Sequence, residues 1–154
     1  MQTFAILWPT FALVALTFVV LFWVFAARGG HMRRNPPTAD DFASAEASTR
    51  YFQPVEMPAN NLRNLFELPI LYYALVALLI VTRQASHIQV TLAWGFVILR
   101  VAHSFAHLVL RRVPVRALAF WLSALLLLAM WIGFAVDVSR AQETYDDAMA
   151  NITI

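Results

Sequence analysis

The sequence predicts an all-α integral membrane protein, one domain over residues 1–154 built as a four-helix bundle of up-down topology. Three observations predict it. Hydrophobic residues make up 61% of the 154, whereas a water-soluble domain usually holds about 45–50%. Charged residues make up 13% against a usual share of about 25%, too few to cover a water-facing surface. Finally, four stretches run almost without charge. Each is near the roughly 20 residues that a helix needs to cross about 30 Å of hydrocarbon.

The first span is set at about 4–27, because Phe4 to Ala27 is 24 residues without a charge. A cleaved signal peptide has a shorter apolar region, about 7–15 residues, after a basic start. No basic residue precedes Phe4, so the segment is read as a retained span. The first connection, Arg28 to about Met57, is long and rich in Arg, Asn, Pro, Asp and Ser. Asn35-Pro36-Pro37 stops a helix there, since proline lacks an amide donor and restricts the residue before it. Thr38-Ala39-Asp40-Asp41 is placed to cap a short helix at the membrane surface.

The second span is set at about 60–82, with Leu65 to Thr82 apolar except for Glu67. Arg83 to His87 is a short link. The third span, about 88–110, is apolar except for Arg100, His103 and His107. Arg111 to Arg116 is a second short link and holds Pro114. The fourth span, about 116–138, carries Asp137 near its end. Short links make successive spans antiparallel neighbours. The chain has no cysteine, which excludes disulfides, thiolate metal sites and a cysteine nucleophile.

Arginine placement predicts orientation. The first and third connections share a side and carry Arg28, Arg33, Arg34, Arg50, Arg111, Arg112 and Arg116, against Arg83 and Arg140 on the other. Arginine-rich short loops stay in the cytoplasm. Both termini then face out, with the acidic tail of Glu143, Asp146 and Asp147.

The polar residues within the spans form two stripes. Asn60, Arg63, Asn64 and Glu67 are spaced i, i+3, i+4, i+7, one face of a helix. Arg63 and Glu67, four apart, are placed to pair. Arg100, His103 and His107 are spaced i, i+3, i+7, again one face. An ionisable group at membrane depth costs roughly 2.5–3.5 kcal/mol on insertion scales, so the stripes are expected to face each other, or a neighbouring subunit, around a polar cavity. The plainer alternatives are that Arg63 snorkels to the interface, that Asn60 and Asn61 are ordinary caps, and that Glu67 pairs with Arg100 only to fix helix packing. The histidine pair has metal-ligand spacing, but the nearby carboxylate has arginine neighbours, and no metal is expected.

"NNLRNLFELPILYYALVALL", followed by "LRVAHSFAHLVLRRVPVR", resembles the MAPEG superfamily, the membrane-associated proteins in eicosanoid and glutathione metabolism. Arg63, Asn64 and Glu67 match its Arg-Asn-x-x-Glu segment. Arg100, Val101 and His103 match its third-helix segment, and Arg116 matches the arginine that ends its basic loop. The resemblance covers nearly the whole chain and is to the bacterial branch, which implies the bacterial inner membrane. It implies a homotrimer, with glutathione held between subunits near the cytoplasmic side and a lipophilic small-molecule substrate arriving from membrane lipid; nucleic acid is not an expected partner. On this resemblance Arg63, Arg100 and Arg116 suit the carboxylates of glutathione, Glu67 its ammonium, and Asn64 its amides. Asn60, His103, His107 and Arg28 complete the expected cofactor-binding set, and Arg116 is the catalytic candidate, steadying a thiolate. His107 stands where several characterised enzymes of the family have a tyrosine, Ala117 where the prostaglandin E synthases have a serine, and Asn60 where those enzymes have another arginine. The implied activity is that of a glutathione transferase or peroxidase acting on hydrophobic electrophiles or lipid hydroperoxides. The alternative is a non-catalytic lipid-binding protein of the same fold, like the lipoxygenase-activating member. A small channel or transporter is disfavoured, since no discontinuous helix or filter motif is evident.

Overall fold

The computed structural model describes residues 4–110 and 112–152; Arg111, counted above among the loop arginines, lies outside them. Four helical segments are long and apolar enough to cross a membrane: Leu7–Arg34, Met57–Val81, His87–Leu110 and Val113–Asn151. Among the described residues the secondary structure is all helical.

Helix α1 (Leu7–Arg34) runs past the expected end at Ala27. Its last turn holds His31, Arg33 and Arg34, which complement the negative end of the helix dipole. The prolines at 36 and 37 then stop it. In the first connection Thr38 donates its backbone N–H and its hydroxyl to Asp41 Oδ2, each at 2.8 Å. These two bonds hold the Asp41 carboxyl below the usual aspartate range. The expected cap therefore forms a turn of its own, ending in a 3-10 segment (Asp40–Phe42). Helix α2 (Ala45–Phe52) is instead capped by Ser44, whose Oγ accepts from Ala47 N at 3.1 Å. It folds back on the end of α1. The Tyr51 hydroxyl donates to the Asn35 carbonyl, and the His31 ring meets the Tyr51 ring edge-on at 4.9 Å.

The second span is broken, against the expectation of one continuous helix. After a 3-10 turn (Gln53–Val55), α3 (Met57–Asn64) ends, Leu65–Glu67 form a turn, and α4 (Leu68–Val81) begins. Pro69 explains the position. In a continuous helix its ring would clash with the carbonyl four residues back, that of Leu65, and it has no N–H to bond that carbonyl. Helix α4 closes with Arg83 at φ 58°. There Arg83 N bonds to Ile80 O at 3.2 Å and Gln84 N to Leu79 O at 2.9 Å, a Schellman closure that glycine usually makes.

Helix α5 (His87–Phe105) is capped by Ser86 Oγ, which accepts from Gln89 N at 3.3 Å. It passes into a π-helical segment, Ala106–Leu110. Helix α6 (Val113–Ile152) is 40 residues long and runs well past the expected end near 138, so the acidic tail is part of the helix. Pro114 sits in its first turn, where a missing N–H leaves no bond unmade.

Helix α5 lies along α6, α1 packs on α3, α4 and α5, and α4 also touches α6. The core joins Leu13 of α1, Tyr72, Leu75 and Leu79 of α4, Ala93 and Phe96 of α5, and Leu127 and Met130 of α6. Tyr72 stacks on Phe96 at 5.0 Å, and its hydroxyl shares a 3.0 Å hydrogen bond with Thr10 Oγ1. Gly95 lets α5 and α6 come close, since a Cβ there would stand 2.9 Å from Leu126 Cδ1. The outer surface is apolar too, with Trp8, Phe22, Val81 and Ile88 exposed. Only a helix or a closed barrel satisfies its backbone in such surroundings, and the four long apolar helices identify an integral membrane protein.

Candidate functional site

Where α3, the break, the end of α5 and the first turns of α6 meet, they line an open cavity of about 460 Å³. Helix α3 and the break contribute Asn60, Arg63, Asn64 and Glu67. Helix α5 and the π-helical segment contribute His103 and His107, and α6 contributes Arg116, Ala117, Phe120 and Trp121. Seven of the nine residues singled out in the sequence thus line one space. The α3 stripe faces it because 60, 63 and 64 share a helical face. Glu67 reaches it from beyond the break. The expected Arg63–Glu67 pairing is not present among the described residues, for a geometric reason. Residues four apart meet only along a continuous helix, and Leu65–Glu67 leave the helical path. Both side chains are exposed.

Arg100 lies behind the wall rather than in the cavity. It is fully buried. Its Nε and Nη2 donate to Ser123 Oγ at 3.1 and 2.5 Å, and Nη1 donates to the Asn64 carbonyl at 3.5 Å. Its guanidinium carbon sits 4.9 Å from the Phe120 ring centre and 5.6 Å from that of Phe96. A hydroxyl, a carbonyl and two ring faces make the direct contacts, while Glu67, the plainer alternative as its partner, acts on Arg100 through charge alone. Arg28 is elsewhere altogether, 4.7 Å over the Phe52 ring at the foot of α1.

The histidines both act on Arg116. His103 Nδ1 donates to the Arg116 carbonyl at 3.1 Å, since a carbonyl can only accept. Arg116 Nη1 donates to His107 Nε2 at 3.0 Å. A guanidinium has no acceptor, so His107 Nε2 carries the lone pair and Nδ1 the proton. His103 Nε2 and His107 Nδ1 are buried and have no hydrogen-bond partner among the described residues. The two rings meet edge to face at 5.9 Å. A second cavity of about 280 Å³ shares Asn60, His107 and Arg116 with the first and adds Met57, Arg112 and Val113.

Three supporting residues escaped the sequence reading. Ser123 holds Arg100; it is the hydroxyl seven residues after Arg116, on the same face of α6, and that spacing was the available signal. Asn61, read as a cap, is fully buried. Its Oδ1 accepts from Ser104 Oγ at 3.4 Å, tying α3 to α5 behind the cavity. Ser104 lies one residue after His103 and had no signal of its own.

Electrically the main cavity holds two guanidinium groups, Arg63 and Arg116, against one carboxylate, Glu67. It therefore favours a ligand with excess negative charge and a place for one ammonium. The apolar faces of Ala117, Phe120 and Trp121 stand beside Arg116, so a lipophilic reactant and an anion can meet there.

The sequence model of the MAPEG family matches residues 6–136. The match contains every residue of both cavities and ends within α6. No curated protein and no solved structure matches the chain.

Proposed function

Because the chain belongs to the MAPEG family, we propose that it is a membrane glutathione transferase or peroxidase acting on hydrophobic electrophiles or lipid hydroperoxides. The observation that supports this most directly is the single cavity in which Arg63, Glu67 and Arg116 stand beside the apolar wall of Phe120 and Trp121. Glutathione would supply the nucleophilic sulfur, which suits a chain without cysteine. Arg63 would hold a carboxylate, since guanidinium binds carboxylate in a planar fork. Glu67 would hold the ammonium, and Asn64 offers both donors and an acceptor. Arg116 would favour the ionised sulfur, as a thiol of ordinary pKa near 8.5 is mostly protonated at neutral pH. Arg100 would act at one remove, fixing the Asn64 carbonyl and the α6 wall.

A homotrimer fits the same geometry. Arg63 and Glu67 are exposed in one subunit, within a helical segment apolar enough to span a membrane, where a charge facing lipid is costly. A neighbouring subunit would cover them. The arginine-rich connections would lie in the cytoplasm, giving glutathione access from that side.

Replacing Arg116 by alanine tests the reading. Loss of a charge-assisted hydrogen bond amounts to about 1.5–3 kcal/mol, or roughly 10–150-fold in rate. Lysine keeps the charge without the fork and rescues part of the activity. If bound glutathione shows the same thiol pKa in wild type and Arg116→Ala, the catalytic reading fails and the lipid-binding alternative gains.

A further inference from the structure

Arg116 is gripped at two points. Its carbonyl is held by His103 Nδ1 at 3.1 Å, and its guanidinium by His107 Nε2 at 3.0 Å. The first bond fixes where the residue sits, and the second fixes where its charge points. His107 belongs to the π-helical segment. It is 95% buried, at 5% relative exposure, between the two cavities. Without that acceptor, Arg116 has a choice: it lines both spaces, and the second one also holds Arg112 and Asn60.

The bond has a chemical condition. A guanidinium can only donate, so His107 must offer a lone pair. A protonated imidazole has none, and its positive charge would face Arg116 at hydrogen-bond distance. We propose that His107 is the positioning residue of Arg116, and that its grip holds only while the imidazole is neutral, so that acid releases the guanidinium from the main cavity. This deepens the proposed function and rests on it for the thiol readout alone. His107 touches His103 of α5 and Arg116 of α6, and it shares the walls of the two cavities with Arg63 of α3, Glu67 of the break and Arg112 at the start of α6. The device therefore keeps Arg116 in place while the imidazole is neutral and lets go when it is protonated.

Glutamine is the informative replacement. Its side-chain carbonyl reaches about as far as imidazole Nε2 and accepts at any pH, so His107→Gln keeps the grip and removes the titration. His107→Leu removes both. The first measurement needs no thiol: nitrogen NMR of the full chain in bilayers with ¹⁵N-labelled histidine. The expected result is that Arg116→Met shifts the bare nitrogen of one neutral ring, and that this signal is missing in His107→Gln. The His103 signals stay put, because that ring bonds to the backbone of residue 116. Unchanged His107 nitrogens in Arg116→Met would overturn the proposal.

The second measurement is the ultraviolet thiolate band of glutathione bound to the same protein, followed towards acid. Wild type should lose it with one proton more than His107→Gln does. At the acid end that is about a tenfold steeper loss per pH unit. His107→Leu should show a weak band at every pH. Identical acid limbs in wild type and His107→Gln would also overturn the proposal. If no variant shows a thiolate band, the proposed function falls, and the NMR comparison still decides the grip.

Discussion

Ser123→Ala tests the burial of Arg100. The Ser123 hydroxyl is fully buried and accepts two guanidinium donors, at 3.1 and 2.5 Å, while donating to Phe120 O at 2.7 Å. Alanine leaves Arg100 with one long bond, 3.5 Å to Asn64 O, and the two ring faces. A hydrogen bond to a charged group contributes about 1.5–3 kcal/mol, and leaving its buried partner unsatisfied adds the desolvation of that partner. A water molecule entering the small space left by the oxygen would recover part. The expected loss is about 2–4 kcal/mol. For a chain of this size that lowers the melting temperature by about 4–16 °C, readable by thermal unfolding in a mild detergent. The companion experiment is the double variant Arg100→Met with Ser123→Ala. Replacing a buried polar pair by apolar groups of similar shape is often nearly neutral, so the double variant should be more stable than Ser123→Ala alone. A Ser123→Ala protein within about 0.5 kcal/mol of wild type would show that Arg100 is satisfied by other means and refute the reasoning.

Three further outcomes are expected. Arg83→Gly should stabilise the chain, because a left-handed non-glycine residue costs about 1–2 kcal/mol and glycine returns about 0.5–1 of it as unfolded-chain entropy. A melting temperature that stays the same or falls would count against the strained closure seen at φ 58°. The Thr38–Asp41 turn should be stable above the ordinary aspartate range and loosen as the pH falls through the lowered Asp41 value, since a depressed pKa means the ionised form is the one favoured by folding. Amide protection of Thr38, corrected for its intrinsic exchange rate, checks this, and Asp41→Asn should abolish it at neutral pH. Introduced cysteines, which meet no native thiol, should label from the cytoplasmic side at residue 40 and from outside at 85 and 147; an outward residue 40 would reverse the proposed orientation.

The four spans were legible because each is a long run with few charges, and lipid leaves a chain few other options. The cavity wall was legible for a related reason: charged and amide side chains at helical spacing stand out against an apolar background. What the spacing could not supply was backbone geometry. The reading of Arg63 with Glu67 assumed an unbroken helix, although Pro69 was in plain view two residues on. The alternative pairing of Glu67 with Arg100 survives only as an interaction of charge. Ser123 and the Asn64 carbonyl make the direct contacts, and backbone carbonyls leave no trace in a residue pattern. The histidines were read as facing a ligand; in the structure their clearest bonds are to Arg116, a relation between elements that only packing reveals. The fourth span was set to end near 138, just after Asp137, yet nothing there breaks a helix, and α6 runs on through the acidic tail.

That uninterrupted α6 has a mechanical consequence. At 1.5 Å per residue, the 31 residues from Arg116 to Asp147 span roughly 46 Å of one rod. A tilt of about 10° pivoting near Arg116 would sweep the far end through roughly 8 Å. A spin label at residue 147 would act as the pointer of a lever whose short arm carries the guanidinium, so that rearrangements too small to resolve beside Arg116 could be measured as displacements on the opposite side of the bilayer.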